Sequence, residues 1–523
     1  MNRAFCNTCK KLVPAEVVQR DGQVFLAKDC PACGRTETLI SSDAARYQKK
    51  HSLGAPFDYR ACALDCVGCH HARVPNLVFV DITNRCNLNC PCCINNTPRM
   101  GFLFEPPLDY FRKVFEHLAS LDPKPSVQLF GGEPTVRADL FEIIALARSL
   151  GLPTRVVTNG LRLADPDYCR RLVATRATIN IAYDGANPAA YRVLRGSEKA
   201  LDLKHRAIEN LVRSGAKKVI LMTLAAKGFN DGELPQLLQL CHDHRDTVRA
   251  VYFMPLAHTW DTADFPLVPE RTTLEDIEQL VVALYPDDNV EFLPAGFLGR
   301  IKHLLVALRV KPLPFLGAHP NCESMYMLVS DGTRYLPVSH YLKGSIFDVA
   351  RDLAAADERL ARHIPPGGPP PKGLGRAILQ LRAYRAIWRV LRRHADLTRI
   401  LKGKSPIARL YHALAIPIGL LLGRKSREVL RRHSEVQGVF QLVVLPFEDM
   451  SNIETERLEQ CPTAFAYYDP EEGQAHCIPT CAWGLHKTAV MRRIATYYAG
   501  RAAAPAPAPP EPIAPTGEPR PRA

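Results

Sequence analysis

From residue 77 to about 258, short apolar runs alternate with amphipathic stretches. The runs LVFVDIT (77–83), SVQLF (126–130), TRVVT (154–158), ATINIAY (177–183), KKVILMTL (217–224) and AVYFM (250–254) have the length and β-branched content of strands buried on both faces. Between them, LDYFRKVFEHLASL and RADLFEIIALARSLG repeat apolar residues at three and four, and the second ends on Gly151, a residue suited to a helix C-terminus. Six repeats of strand then helix predict a parallel sheet with right-handed crossovers. The expected fold class is α/β, a partial (β/α)6 TIM-type barrel over 77–310 whose chemistry belongs at the C-terminal strand ends.

The flanks read differently. CNTCKKLVPAEVVQRDGQVFLAKDCPACG carries two CxxC pairs, so Cys6, Cys9, Cys30 and Cys33 are expected to close one tetrahedral zinc or mononuclear iron site in a zinc-ribbon-like module at 1–50. A redox pair or incidental spacing is the alternative. Residues 51–76 form a cysteine-rich linker and 311–364 a further cysteine-containing segment. The linker PPGGPPP (365–371) leads into a basic helical segment at 372–435, and a cysteine-containing cap follows at 436–500. Residues 501–523, rich in Ala and Pro, lack the apolar content for a core and are expected to be a disordered tail.

Composition narrows the class. With 523 residues, 47% apolar and 23% charged, the chain can bury several cores, roughly three or four domains' worth. Its 17 cysteines fall in close pairs and triplets beginning at Cys6, which reads as metal-bound thiolates in a reducing cytoplasm without a secretory leader. No apolar run approaches the ~20 residues of a spanning helix, and ALAIPIGLLLG (413–423) is interrupted by Pro417. The net charge of +14 is concentrated: residues 371–435 hold sixteen Lys or Arg against three acids.

The chemistry centres on DITNRCNLNCPCCINN, with four cysteines in eight positions directly after the first predicted strand. Cys86, Cys90 and Cys93 read CxxxCxxC. Three thiolates on a [4Fe–4S] cluster leave one iron open to another ligand, whereas the string by itself also fits zinc. GGEP (Gly131, Gly132, Glu133, Pro134) follows the second strand, TNG (Thr158, Asn159, Gly160) closes the third, DG (Asp184, Gly185) closes the fourth, and LRG places Arg195 shortly after. In this order the motifs resemble the radical S-adenosylmethionine (SAM) superfamily. The resemblance implies a [4Fe–4S] cluster on Cys86, Cys90 and Cys93. It also implies SAM held by Gly131, Gly132, Glu133, Pro134, Asn159, Asp184 and Arg195, and a low-potential electron donor such as ferredoxin or flavodoxin. A 5′-deoxyadenosyl radical would then take hydrogen from an unactivated carbon, a step that requires no acid or base from the protein, so no catalytic side chain is assigned. The position before the third ligand, often aromatic in the superfamily, is Cys92. Spacing selects Cys93, and Cys92 reads as a buried small hydrophobe.

Outside the predicted barrel, CALDCVGCHHA supplies Cys62, Cys66, Cys69, His70 and His71, while Cys322, Cys461, Cys477 and Cys481 come from later segments. This layout resembles the branch that contains archaeal tetraether lipid synthases and dihydropterin methylases, over roughly 1–350 and 436–490. The resemblance implies a rubredoxin-like N-terminal site and one or two auxiliary [4Fe–4S] clusters on those seven cysteines, with one non-cysteine ligand if there are two. His70 or His71 is a candidate for it, and a solvated histidine pair is the alternative. A zinc knuckle of Cys461, Cys477 and Cys481 is the competing arrangement. Cys169 and Cys241 lie inside helix-like segments as core residues, and His258 and His319 carry no assignment.

In RAILQLRAYRAIWRVLRRHADLTRILKG, Leu381, Tyr384, Trp388, Leu391 and Ala395 form one helical stripe, and Arg382, Arg385, Arg389 and Arg392 form the stripe beside it. Such a helix suits an anionic lipid surface, with Trp388 at the boundary and ALAIPIGLLLG as a shallow insertion or acyl-chain wall. A cap packed on the barrel is the second reading, and a nucleic-acid surface ranks last. With the tetraether resemblance, the favoured function is lipid acyl-chain carbon–carbon coupling or modification by a cytoplasmic enzyme at the inner membrane face. A methylase or maturase acting on a pterin or peptide is the alternative within the superfamily. A non-catalytic iron–sulfur or zinc protein that binds RNA is the alternative from another class.

Overall fold

The computed structural model describes residues 2–60, 62, 64, 66, 73–95, 100–258, 270–310, 314–364 and 371–499. Cys69, His70, His71 and the Ala/Pro tail therefore lie outside the described residues. The N-terminal module is an antiparallel sheet of β1 (Arg3–Phe5), β2 (Leu12–Arg20), β3 (Gln23–Cys30) and β4 (Gly34–Ser41) in chain order. Asp21 and Gly22, with φ of 51° and 75°, supply the paired left-handed residues that a two-residue hairpin between β2 and β3 requires. Helix α1 (Ala44–His51) follows, its first turn capped by the Asp43 carboxylate accepting from the Arg46 N–H at 3.0 Å.

The central sheet begins with six parallel strands, β5 (Leu77–Thr83), β6 (Ser126–Gly131), β7 (Thr154–Thr158), β8 (Thr178–Ala182), β9 (Val219–Ala225) and β10 (Val248–Pro255), neighbours in that order. Every residue of β5 and β9 is buried, which explains why these strands read as unbroken apolar runs. The crossovers are α2 (Leu108–Ser120), α3 (Leu140–Ser149), α4 (Pro166–Ala174), α5 (Pro188–Arg195), α6 (Lys199–Arg213) and α7 (Leu234–Asp243). Cys169 and Cys241 are fully buried in α4 and α7. Beyond β10 come α8 (Leu274–Ala283), β11 (Leu293–Pro294), α9 (Lys302–Ala307), β12 (Ser324–Ser330), β13 (Tyr335–Pro337), α10 (Ile346–Ala361) and α11 (Gly373–His394). The buried Lys50 of α1 lies between Glu275 and Glu278 of α8, 2.7 Å from each, and fastens the N-terminal module to the barrel.

The C-terminal region corrects the sequence reading in two places. After α12 (Leu397–Ile400), α13 (Pro406–Leu421) and α14 (Ser426–His433), the chain re-enters the central sheet as β14 (Gly438–Val444), parallel to β10. It does so again after α15 (Thr455–Glu459) as β15 (Thr463–Asp469), parallel to β5 and hairpinned to β16 (Gln474–Pro479) before α16 (Thr480–Ala499). The segment 436–500 is thus no separate cap: its apolar runs extend both edges of the parallel sheet, and β12 and β16 continue it antiparallel. The second correction concerns α11: the helix ends at His394, so Ala395, expected in its apolar stripe, lies past its end and is buried. The helix packs on α9 and α10 through Leu379 and Ala383, while the stripe of Leu381, Tyr384, Trp388 and Leu391 stays in solvent, with Trp388 40% exposed.

Candidate active site

The cysteine loop leaves the C-terminal end of β5 and is held there by backbone contacts. The Gly132 and Glu133 N–H groups donate to the Thr83 and Arg85 carbonyls at 2.7 and 2.8 Å. A Cβ at Gly131 would lie 2.2 Å from the Thr83 carbonyl oxygen, and one at Gly132 would lie 2.2 Å from that of Arg85, so only glycines permit this approach. On the far side, Gly196, at φ +73°, sits where a Cβ would come within 2.9 Å of the Asn89 carbonyl oxygen. The GGEP and LRG motifs therefore grip the cysteine loop from two directions.

Glu133 is buried, and its carboxylate accepts from the Thr135 hydroxyl (2.6 Å), the Thr158 hydroxyl (2.7 Å) and the Asn159 N–H (2.6 Å). Burial raises its pKa and these donors oppose the rise. The Asn159 side chain donates to the Asn87 side-chain oxygen at 2.7 Å, joining the third strand end to the cysteine loop. Asp184 is fully buried and grips Arg195 through two bonds of 2.6 and 2.7 Å, while the Leu224 N–H donates to the same carboxylate at 3.0 Å. Although burial pushes Asp184 up, the Arg195 guanidinium holds it below the usual carboxylate range. Arg195 lines the cavity described below; Asp184 and Pro134 stand behind that wall.

Burial pushes the Cys86 thiol up to about 12, with the Glu133 carboxylate adding to the effect, and also raises Cys90. A metal cation reverses this balance by deprotonating a coordinating thiol. Cys92 is 5% exposed and its thiol donates to the Leu194 carbonyl at 2.9 Å, the behaviour of a core residue.

A bracing network was not read from the sequence. Asp81, inside β5, accepts from Trp483 Nε1 at 2.8 Å and pairs with Lys487 Nζ at 3.1 Å. Lys487 also donates to the Asn95 Oδ1 at 2.9 Å, and Asn95 Nδ2 donates to the Gly131 carbonyl at 2.7 Å. Helix α16 thereby latches the cysteine loop to GGEP. The available signal was an acid placed inside the apolar run LVFVDIT and needing a buried partner.

Cys86, Cys90, Cys93, Gly131, Gly132, Glu133, Asn159 and Arg195 all line one cavity of about 170 Å³ at the C-terminal strand ends. Its remaining wall is mostly apolar, including Phe79, Phe130, Met222, Leu224, Met254 and Leu445, so the sheet curves around a bore. Glycines that admit close backbone approach, a buried carboxylate, one guanidinium and three thiols suit an iron–sulfur cluster and an amino-acid-bearing cofactor.

The N-terminal thiols form a second centre. The sulfurs of Cys6, Cys9, Cys30 and Cys33 all lie within 4.8 Å of one another, and Cys9 and Cys30 are 3.6 Å apart. Tetrahedral zinc with bonds of about 2.3 Å puts its sulfurs about 3.8 Å apart, so the group fits one ion. Backbone N–H groups of Cys9 and Thr8 bring Cys6 down to about 6, favouring its thiolate. Among the outer cysteines, Cys322 and Cys481 both feel the charge of Glu448 and of Arg457, and both neighbour Cys461. The Cys62 N–H donates at 2.5 Å to Glu459, two residues before Cys461. Cys66 is buried in the main core, and Cys477 lies on β16 opposite Ala466. His319 is buried near Arg457, and the His258 N–H donates to Asp449.

Residues 80–241 match the radical SAM superfamily and residues 2–42 match the HMPTM N-terminal zinc ribbon domain. Fold, thiol loop and this match define a radical SAM enzyme, with its [4Fe–4S] cluster and SAM, carrying an N-terminal zinc ribbon. The chain belongs to the radical SAM superfamily, in the branch of the 7,8-dihydro-6-hydroxymethylpterin dimethyltransferase of Methanocaldococcus jannaschii, to which it is 31% identical over 354 residues, 65% of this chain and 70% of that relative. It is 28% identical over 249 residues to the mitochondrial GTP 3′,8-cyclase of Arabidopsis thaliana, covering 46% of this chain and 60% of that one. Streptococcus suis SuiB bound to S-adenosylmethionine superposes with a TM-score of 0.35 at 16% identity over 40% of this chain and 47% of that chain.

Proposed function

We propose that this enzyme modifies a lipid acyl chain at an unactivated carbon, with Cys86, Cys90 and Cys93 holding the cluster at the mouth of the bore. When bound, cluster and SAM supply a 5′-deoxyadenosyl radical able to abstract hydrogen from such a carbon. Gly131 and Gly132 would admit the amino-acid end of the cofactor, Glu133 and Asn159 would hold its amine, and Arg195, braced by Asp184, would hold its carboxylate. Pro134 starts the turn that carries Glu133 inward. The apolar wall excludes water and positions the alkyl carbon.

The observation that carries the lipid reading is the set of large apolar side chains left exposed on α11 and on α13. Leu381, Tyr384, Trp388 and Leu391 stand in solvent beside the Arg382, Arg385, Arg389 and Arg392 stripe, and Ile407 of α13 is 82% exposed. Such a face fits the anionic inner surface of a membrane. No helix among the described residues is long and apolar enough to cross one. A pterin substrate is the second reading, favoured by the archaeal relative's name. Mass spectrometry of lipid and pterin extracts from cells with and without the gene separates the two. A lipid mass change is expected; an unchanged lipid profile with an altered pterin would replace the lipid reading.

The shared surroundings of Cys322, Cys461 and Cys481, with Cys62 over the same turn, support one auxiliary cluster there. Cys66 and Cys69 remain candidate ligands of the same centre or of a second one, and Cys477 lies apart on β16. A ferredoxin- or flavodoxin-type protein is proposed as electron donor.

A further inference from the structure

The bore does not end beneath the cysteine loop. A second chamber of about 240 Å³ lies at the N-terminal ends of the strands, and Arg155, Tyr252 and Phe315 belong to the walls of both chambers. The two therefore meet at a waist formed by those three side chains. The lower chamber is lined by three cations, Arg155, Lys218 and Arg249, and by no acid. Arg249 is fixed by carbonyls of Lys217, Arg245 and Asp246. Arg155 makes no hydrogen bond or ion pair among the described residues although it points into the bore. Arg155 is half-buried, and its free guanidinium offers planar donors that suit a ligand anion.

A second observation lies one layer above. Asn180, 1% exposed, lines the upper chamber, donates to Gln128 at 3.2 Å and leaves its Oδ1 buried with no partner. That oxygen calls for an O–H or N–H on the ligand. Above this polar layer the wall includes Phe130, Met222 and Leu224, up to the thiols. From Lys218 to Leu224 along β9 the path is roughly 20 Å, at about 3.3 Å per residue, the reach of a long alkyl chain. The 295–301 turn contributes Ala295 and Leu298 to the lower chamber and packs against α10, on which the basic helix α11 rests. The basic helix thus stands one helix removed from the lower end of the bore.

We infer that the bore is a channel for an anionic amphiphile, entered at the N-terminal ends of the strands: Arg155, Lys218 and Arg249 hold its phosphate or carboxylate, Asn180 takes a neighbouring hydroxyl, and the alkyl tail runs up to the radical centre. This rests on the lipid reading above and adds the direction of entry and the residues that read the headgroup.

The test is titration calorimetry on the full chain with its ribbon metal, using oleoyl lysophosphatidate and oleate below their micelle concentrations, with neutral monoolein and inorganic phosphate as controls. Either or both anionic amphiphiles should bind at least tenfold more tightly than monoolein or phosphate, and which one does so identifies the acidic group. Arg155→Gln and Lys218→Gln should each weaken anionic binding roughly tenfold and leave monoolein binding unchanged, and Arg155→Lys should recover part of the loss. Lys218 is exposed, so its variant tests the site without a folding cost. Equal binding of charged and neutral amphiphiles, or unaltered affinity in both glutamine variants, overturns the channel while leaving the lipid reading in place. Phosphate binding as tight as lysophosphatidate also overturns it, in favour of a free-anion site. If no amphiphile binds, both the channel and the lipid reading fall.

Discussion

At the scale of single residues, the site rests on close backbone approaches and on a buried ion pair. Gly132 is the sharpest: an added methyl meets a backbone carbonyl of the cysteine loop at 2.2 Å, and backbone yields less readily than a side chain. Gly132→Ala is expected to displace the loop, reducing reconstituted cluster iron and SAM cleavage at least tenfold while the ribbon keeps its zinc, as metal analysis would read directly. Lys487 acts from 406 positions away, pairing the buried Asp81. Lys487→Met leaves that carboxylate facing Trp483 alone and should cost about 3–5 kcal/mol in urea unfolding, with Asp81→Asn restoring part of the loss. The sequence revealed the thiol spacing and GGEP because each is a contiguous string. It did not reveal Lys487 or Trp483, because only the fold brings α16 beside β5, nor that Asp184 serves the cavity through Arg195.

At the scale of elements, the six strands of the barrel were legible to within two or three residues, since runs buried on both faces lose the polar alternation that blurs shorter strands. Strands β14 and β15 were not read as sheet members because 182 residues separate β14 from β10 and 379 separate β15 from β5, and periodicity says nothing about partners that distant. The basic helix shows the same limit: its apolar stripe was visible, but which stripe would pack was decided by α9 and α10. The exposed stripe carries an expectation. Each cation near an anionic bilayer contributes about 1 kcal/mol, so changing Arg382, Arg385, Arg389 and Arg392 to glutamine should lower partition onto anionic vesicles a hundredfold or more at low salt. Flotation with anionic and neutral vesicles, alongside RNA competition at the same ionic strength, reads this; RNA retention without vesicle binding would assign the helix to nucleic acid. The ribbon carries another. Serine at Cys6, Cys9, Cys30 and Cys33 should remove one metal ion per chain and lower stability, with SAM cleavage retained at reduced level; unchanged total metal would contradict the site.

At the scale of the whole molecule, the parallel sheet curves around a bore whose upper end carries the thiol loop and whose lower end is cationic. The N-terminal module is fastened to this barrel by the buried Lys50 between two carboxylates, and the C-terminal chain completes both edges of the sheet. Substrate class was the least legible property in the sequence, because it resides in the shape and charge of a space assembled from eight strands. The central claim is that the loop after β5 holds the cluster that cleaves SAM. Its most direct test is anaerobic reconstitution with reductant, followed by chromatography for 5′-deoxyadenosine and methionine, with the unmodified protein beside a variant in which Cys86, Cys90 and Cys93 are alanine. The account requires cleavage by the former and none by the latter; equal cleavage by both would contradict it.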